Sequence, residues 1–145
     1  MEKILISACL MGRNCKYNGG NNGLSPEIVE KLREKYQLIE VCPECDGGLS
    51  TPRLPSERRG EKLINSAGED VTAQFKQGAE LALKTAIENG CRKALFKERS
   101  PSCGSGIIYD GSFSKSLKDG DGVTAELLKK NGIEIIGESE LDLLI

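Results

Sequence analysis

Apolar residues cluster in short runs separated by long polar stretches. Lys3 to Ser7, Leu38 to Val41, Lys93 to Lys97 and Ile133 to Ile136 are brief runs with no helical period, and each is predicted as a buried strand. A different spacing fills the intervals. Ile28, Val29, Leu32 and Tyr36 recur at helical intervals behind Ser25-Pro26-Glu27, an N-cap, a first-turn proline and an acid at the positive dipole end. Phe75, Ala79, Ala82, Leu83 and Ala86 form one stripe, which predicts a helix from Val71 to Asn89 with Asp70 as its cap and Gly90 just past its end. Gly122 to Lys130 reads as a third helix closed by Gly132, Ile107 to Tyr109 as a short extended piece, and Ser139 to Ile145 as a terminal amphipathic piece. Cys9 to Leu24 and Ser100 to Gly106 are polar and glycine-rich and read as irregular loops. Leu49 to Gly68, with Pro52, Pro55, Arg53, Arg58 and Arg59, reads as a long functional loop.

Strands that alternate with helices imply a mostly parallel sheet with right-handed crossovers. The expected fold is therefore a single α/β domain over residues 1–145, an open Rossmann-like sheet with helices on both faces. In such sheets ligands bind beyond the carboxyl ends of the strands, near the point where strand order reverses.

Composition narrows the chemistry. The chain of 145 residues carries 20 Lys and Arg against 22 Asp and Glu, a formal net charge of −2, which gives no support to polyanion binding. Trp is absent and aromatics are scarce, so neither a base-stacking platform nor direct evidence for a nucleic-acid partner is present. No apolar run approaches the roughly 20 residues of a membrane span, and the N-terminal run is too short for a secretory signal, so a cytoplasmic protein with no membrane partner is expected. Six cysteines are too few for a disulfide scaffold in a chain with its own core, which favours reduced thiols. Histidine is missing altogether, which removes imidazole bases, Cys-His and Ser-His pairs and His-ligated zinc.

Three cysteines stand just past predicted strands: Cys9 after the first, Cys42 after the second and Cys103 in the loop after the third. The fold thus gathers three distant thiols on one edge. As buried residues they would be small hydrophobes; as a set they suit a soft metal. Cys15 or Cys45 could complete a four-thiol zinc site. Three thiolates alone suit a cubane iron–sulfur cluster with one iron left open as a Lewis acid. Cys42-Pro43-Glu44-Cys45 has the spacing of a zinc knuckle or a redox CxxC, though Asp46-Gly47-Gly48 follows where a redox motif should open a helix. Cys91 lies near the opposite edge and reads as core or surface. Glu44 is either a base for water or a loop carboxylate that accepts backbone N–H groups. Ser100 and Ser102 either contact the ligand or shape the turn. Arg53, Arg58 and Arg59 are either anion contacts or a solvated face. No glycine run matches a phosphate-binding or dinucleotide-binding loop.

Ser7-Ala8-Cys9-Leu10 with Gly12, Cys15 to Gly19, Val41-Cys42-Pro43-Glu44 with Gly47 to Leu49, Thr51-Pro52-Arg53, Asp70 to Thr72, Phe75 with Gly78-Ala79, Lys97, Ser100-Pro101-Ser102-Cys103-Gly104, Ile108 to Gly111 and Gly122 to Ala125 run in order along nearly the whole chain. Together they resemble the DUF523 family, the thiouracil desulfidases. The resemblance implies a 4Fe-4S cluster held by Cys9, Cys42 and Cys103. It implies conversion of 2-thiouracil to uracil with release of hydrogen sulfide, the substrate being a thiolated pyrimidine or its nucleoside. The family's acidic residue falls on Glu44 and its serine on Ser100 or Ser102. On this reading the open iron takes the thiocarbonyl sulfur and Glu44 activates water. Asn18 and Cys45 depart from the family's usual Asp and apolar residue. The alternative is a non-enzymatic zinc or thiol redox-sensing module built on Cys9, Cys42, Cys45 and Cys103.

Overall fold

A computed structural model describes residues 1–145. The elements run β1 (Glu2–Ser7), α1 (Pro26–Lys35), β2 (Tyr36–Val41), α2 (Pro43–Asp46), β3 (Ser56–Arg59), β4 (Lys62–Asn65), α3 (Thr72–Asn89), β5 (Lys93–Phe96), β6 (Ile107–Tyr109), β7 (Leu117–Asp119), α4 (Val123–Lys130) and β8 (Glu134–Gly137), with short 3-10 turns at Ala8–Met11 and Glu138–Leu143. The central sheet has the order β2-β1-β5-β8, and every pairing in it is parallel. The alternation of side chains along the strands divides the core in two. Ile4, Ile6, Leu95 and Ile136 pack with Leu32 of α1 on one face. Leu5, Ala94 and Phe96 pack with Ala82 and Ala86 of α3 and Leu128 of α4 on the other. Helices therefore cover both faces, as the alternating pattern requires. No helix is long and apolar enough to cross a membrane.

Local signals act as expected at several boundaries. Ser25 caps α1, its hydroxyl accepting the Ile28 N–H at 3.4 Å. Gly90 ends α3 at a φ of 65°, where a side chain would be strained. Asp70 is not the cap of α3. It accepts the Thr72 N–H at 2.9 Å one position earlier, and the helix begins at Thr72. Thr72 in turn accepts the Leu63 N–H at 2.9 Å and ties β4 to the helix start.

Two segments differ from expectation. Leu49 to Gly68 is not wholly irregular, because it holds the antiparallel hairpin β3–β4. A second hairpin joins β6 to β7, and Leu117 to Asp119 carry no apolar pattern that would announce a strand. The hairpins are fastened to each other and to α4. Glu57 accepts the N–H groups of Gly111 and Phe113 at 3.0 and 3.1 Å, Arg59 donates to the Gly111 carbonyl at 2.6 Å, and Arg58 pairs with Glu126 at 2.6 Å.

The segment after β2 is the one that positions the site. Cys42-Pro43-Glu44-Cys45 does open a helical turn, α2, closed by an Asp46 N–H to Cys42 C=O bond of 2.8 Å. This turn lies directly on the backbone of α3. A Cβ on Gly78 would stand 1.8 Å from the Pro43 carbonyl oxygen, and one on Gly47 would stand 2.0 Å from that of Gln74. Only glycine permits either approach. An alanine at an ordinary helix-interior glycine stabilises by about 1 kcal/mol. Gly78→Ala is expected to do the opposite and destabilise by about 1–3 kcal/mol, the usual cost of overpacking, in urea unfolding of the purified chain.

Candidate active site

The strand order reverses between β1 and β5, the crossover to β2 leaving on one side of β1 and the crossover to β5 on the other. Their ladder pairs Leu5 with Ala94 and Ile6 with Leu95, and beyond it the Ser7 hydroxyl accepts the Lys97 N–H at 3.0 Å. Here a cavity of about 580 Å³ opens at the carboxyl edge of the sheet, a volume suited to a small-molecule ligand. Cys9, Cys42, Cys103, Glu44, Ser100 and Ser102, the residues singled out from sequence, all line it, and so do Cys15 and Arg53. Cys91 does not. It is buried in the core beside Ala86 and Ile133.

Each thiol is delivered by its own backbone device. Cys9 sits on the 3-10 turn that ends β1, and Asn22 Nδ2 donates to its sulfur at 3.5 Å. Cys42 is the N-cap of α2 and is fixed by the glycine contact with α3. Cys103 rides on a tight turn whose carbonyls complete α4: Val123 N–H donates to Pro101, and the Thr124 and Ala125 N–H groups donate to Ser102. The first turn of a helix leaves such donors without partners, so the loop and the helix stabilise each other. Gly104 and Gly122 make this possible, since a Cβ on either would fall within 2.6 Å of a loop carbonyl oxygen.

The two serines do different things. Ser100 Oγ accepts the N–H groups of Ser102 and Cys103 at 3.1 and 3.0 Å, which shapes the turn and leaves its own proton free to donate. Ser102 is 1 % exposed and its hydroxyl is paired with that of Thr124 at 2.7 Å.

Glu44 is held by an unexpected partner. Arg53 Nη2 meets its Oε2 at 2.6 Å, with only 8 % of the arginine side chain and 19 % of the glutamate side chain exposed. Arg53 also donates to the carbonyls of Cys15 and Ser50 and to Thr51 Oγ1. One guanidinium therefore ties the loop around Cys15, the turn α2 and the segment that follows it. No protein donor engages Glu44 Oε1. Arg53 and Arg58 are half-buried and committed within the protein, Arg58 to Asp121, Gly60 and Glu126, whereas Arg59 is exposed and donates through Nε alone, to Gly111. Arg53 was legible as a candidate only by its motif, because its pairing with Glu44 depends on the loop's course.

Electrostatically the cavity floor disfavours charge. Burial raises the thiols of Cys9, Cys15 and Cys42 above their ordinary values and pushes Cys103 up to about 12. Glu44 and Cys9 add to the rise at Cys103, and the Ser7 hydroxyl opposes it. Such thiols stay protonated until a soft cation replaces the proton. No three Cys, Asp or Glu side chains converge within reach of one metal ion.

The model of the family described as 2-thiouracil desulfurase matches residues 4–140. YbbK of Bacillus subtilis (strain 168) is 42 % identical, the alignment covering 96 % of this chain and 97 % of that protein. A solved structure described as the 4Fe-4S-dependent thiouracil desulfidase TudS superposes with a TM-score of 0.95 at 45 % identity, over 99 % of this chain and 95 % of that one.

The Arg53–Glu44 pair has a measurable signature. In a double-mutant cycle of Arg53→Met and Glu44→Gln, followed by denaturant unfolding, a coupling energy of about 0.5–3 kcal/mol is expected, whereas independent side chains would add within about 0.5 kcal/mol.

Proposed function

This chain belongs to the 2-thiouracil desulfurase family, and on that premise we propose that it is a 4Fe-4S-dependent desulfidase acting on thiolated pyrimidines. The reaction is 2-thiouracil plus water giving uracil plus hydrogen sulfide, with no net redox. The observation that carries the reading is the convergence of Cys9, Cys42, Cys103 and Glu44 on one cavity at the switch point.

The donor set fits the group. Three buried thiols from three separate segments are soft ligands without a competing imidazole. When bound on three thiolates, such a cluster offers one iron to a soft sulfur ligand and draws electron density from the carbon attached to that sulfur. The rest is supplied by the chain. Arg53 fixes Glu44 through Oε2, and Oε1 is left to take a proton from the water that adds to the thiocarbonyl carbon. Ser100, already satisfied as an acceptor, donates its hydroxyl proton to the substrate. Ser102 acts on the turn through Thr124. The half-enclosed cavity limits access of bulk water to the thiol floor, where Cys42 and Cys103 are 8 % and 6 % exposed.

A zinc module on Cys9, Cys42, Cys45 and Cys103 would need four sulfurs about one ion at about 2.3 Å each. The side chains do not converge on that scale. A cubane is wider and takes thiolates that stand farther apart.

Anaerobic reconstitution with iron and sulfide tests the proposal. Wild-type protein is expected to bind iron and release sulfide from 2-thiouracil. Cys9→Ser, Cys42→Ser and Cys103→Ser each lose iron, and Cys91→Ser keeps it. Glu44→Gln retains iron but loses about 10²–10⁴-fold in turnover, the usual size of a general-base contribution. A fully loaded protein inert toward every thiolated base would refute the assignment.

A further inference from the structure

Two thiols, Cys15 on the cavity wall and Cys45 on the adjoining turn, are left over once three have been assigned to the cluster. Unlike Cys15, Cys45 is only half-buried, and it lies on the turn α2 whose N-cap is Cys42. We propose that, in the protein without its cluster, Cys42 and Cys45 close a reversible disulfide that withdraws one ligand and keeps the site from taking up iron until a thiol reduces it. The inference rests on the reading of Cys42 as a ligand.

The geometry is that of a CxxC on one helical turn. Residues three apart on a helix present their side chains on the same side, with Cβ atoms about 5–6 Å apart. A disulfide wants them at about 3.5–4.5 Å. Here Cys42 is the N-cap, with φ −130° and ψ 88°, so its side chain is not bound to the helical direction and can lean toward Cys45. Both sulfurs also lie 3.9 Å from one oxygen, the Cys15 carbonyl. Cys45 additionally touches Thr51 Oγ1 at 3.2 Å and Arg53 Nη1 at 3.7 Å, on the open side of the turn. Cys15 is a poorer partner for an external oxidant, at 4 % exposed.

The oxidant is a small-molecule disulfide. The sulfur of Cys45 attacks one of its sulfur atoms and a first small thiol leaves. The sulfur of Cys42 then attacks the Cys45 sulfur of the mixed disulfide, and a second small thiol leaves. Two protein thiols lose two electrons and two protons, and the small disulfide gains both. Iron on Cys42 would block the second step, so the lock acts on the empty site alone.

The test uses the full chain stripped of iron by a chelator, reduced, and incubated anaerobically with glutathione disulfide. Peptide mass spectrometry is expected to find a Cys42–Cys45 bond, two thiols lost and no retained glutathione. Iron uptake on reconstitution should then be lost, and dithiothreitol should restore it. Cys45→Ser should form no such bond and should load iron equally before and after treatment. A stable glutathione adduct on Cys45, a Cys15–Cys42 bond, or undiminished iron uptake by the oxidised wild type would overturn the proposal. If reduced wild-type protein takes up no iron, the ligand assignment fails, while the disulfide map still decides whether the bond forms.

Discussion

The α2 corner of the cavity, with Cys42 and Glu44, depends on a contact that contains no side chain. The turn that follows β2 lies so close to α3 that its Pro43 carbonyl occupies the space where Gly78 would carry a Cβ, and Gly47 answers with the same exposure to Gln74. That approach holds α2 against a helix which is itself packed on the sheet. Cys42 and Glu44 therefore inherit the rigidity of the core, although they belong to a four-residue turn that could not be stable alone. Arg53 extends the same constraint outward, since its guanidinium spans Glu44, the Cys15 carbonyl and the Ser50 carbonyl.

The other two thiols are positioned by equally economical means. Cys9 is placed by a 3-10 turn at the end of the buried strand β1. Cys103 is placed by a loop whose carbonyls act as the N-terminal partners of α4. Three segments far apart in sequence meet because parallel strands deliver their carboxyl ends to one edge, and the strand order opens a crevice there. A chain without histidine has then assembled a site from sulfur, carboxylate and hydroxyl. The desolvation that keeps these thiols protonated when nothing is bound is also what makes them strong soft donors when a cation takes the proton's place.

Much of this was legible in the sequence because its signals are local and strong. The apolar runs at Lys3–Ser7 and Lys93–Lys97 lie on the observed strands, and Ser25-Pro26 starts its helix where it should. The placement of Cys9, Cys42 and Cys103 past strand ends follows from fold class alone. The hairpins were not legible. Ser56 to Arg59 and Leu117 to Asp119 bury no residue, so they have no alternating apolar face to betray them, and their stability comes from Glu57, Arg58 and Arg59 reaching across the fold. The turn at Cys42 was obscured by Asp46-Gly47-Gly48, which reads as a loop. Gly47 is instead a packing residue, and its reason lies in α3, some thirty residues away. The partnership of Arg53 with Glu44 was hidden likewise, since it exists only once the loop has folded back.

The central claim is that Cys9, Cys42 and Cys103 hold an iron–sulfur cluster with Glu44 beside its free corner. Diffraction from anaerobically loaded crystals, with anomalous data at the iron edge, measures this most directly. The account predicts one cluster in the cavity, sulfur ligands from those three residues only, and Glu44 Oε1 facing the iron that has no protein ligand. Iron or another metal bound through Cys15 or Cys45, or a cluster closed by a fourth cysteine, would contradict it.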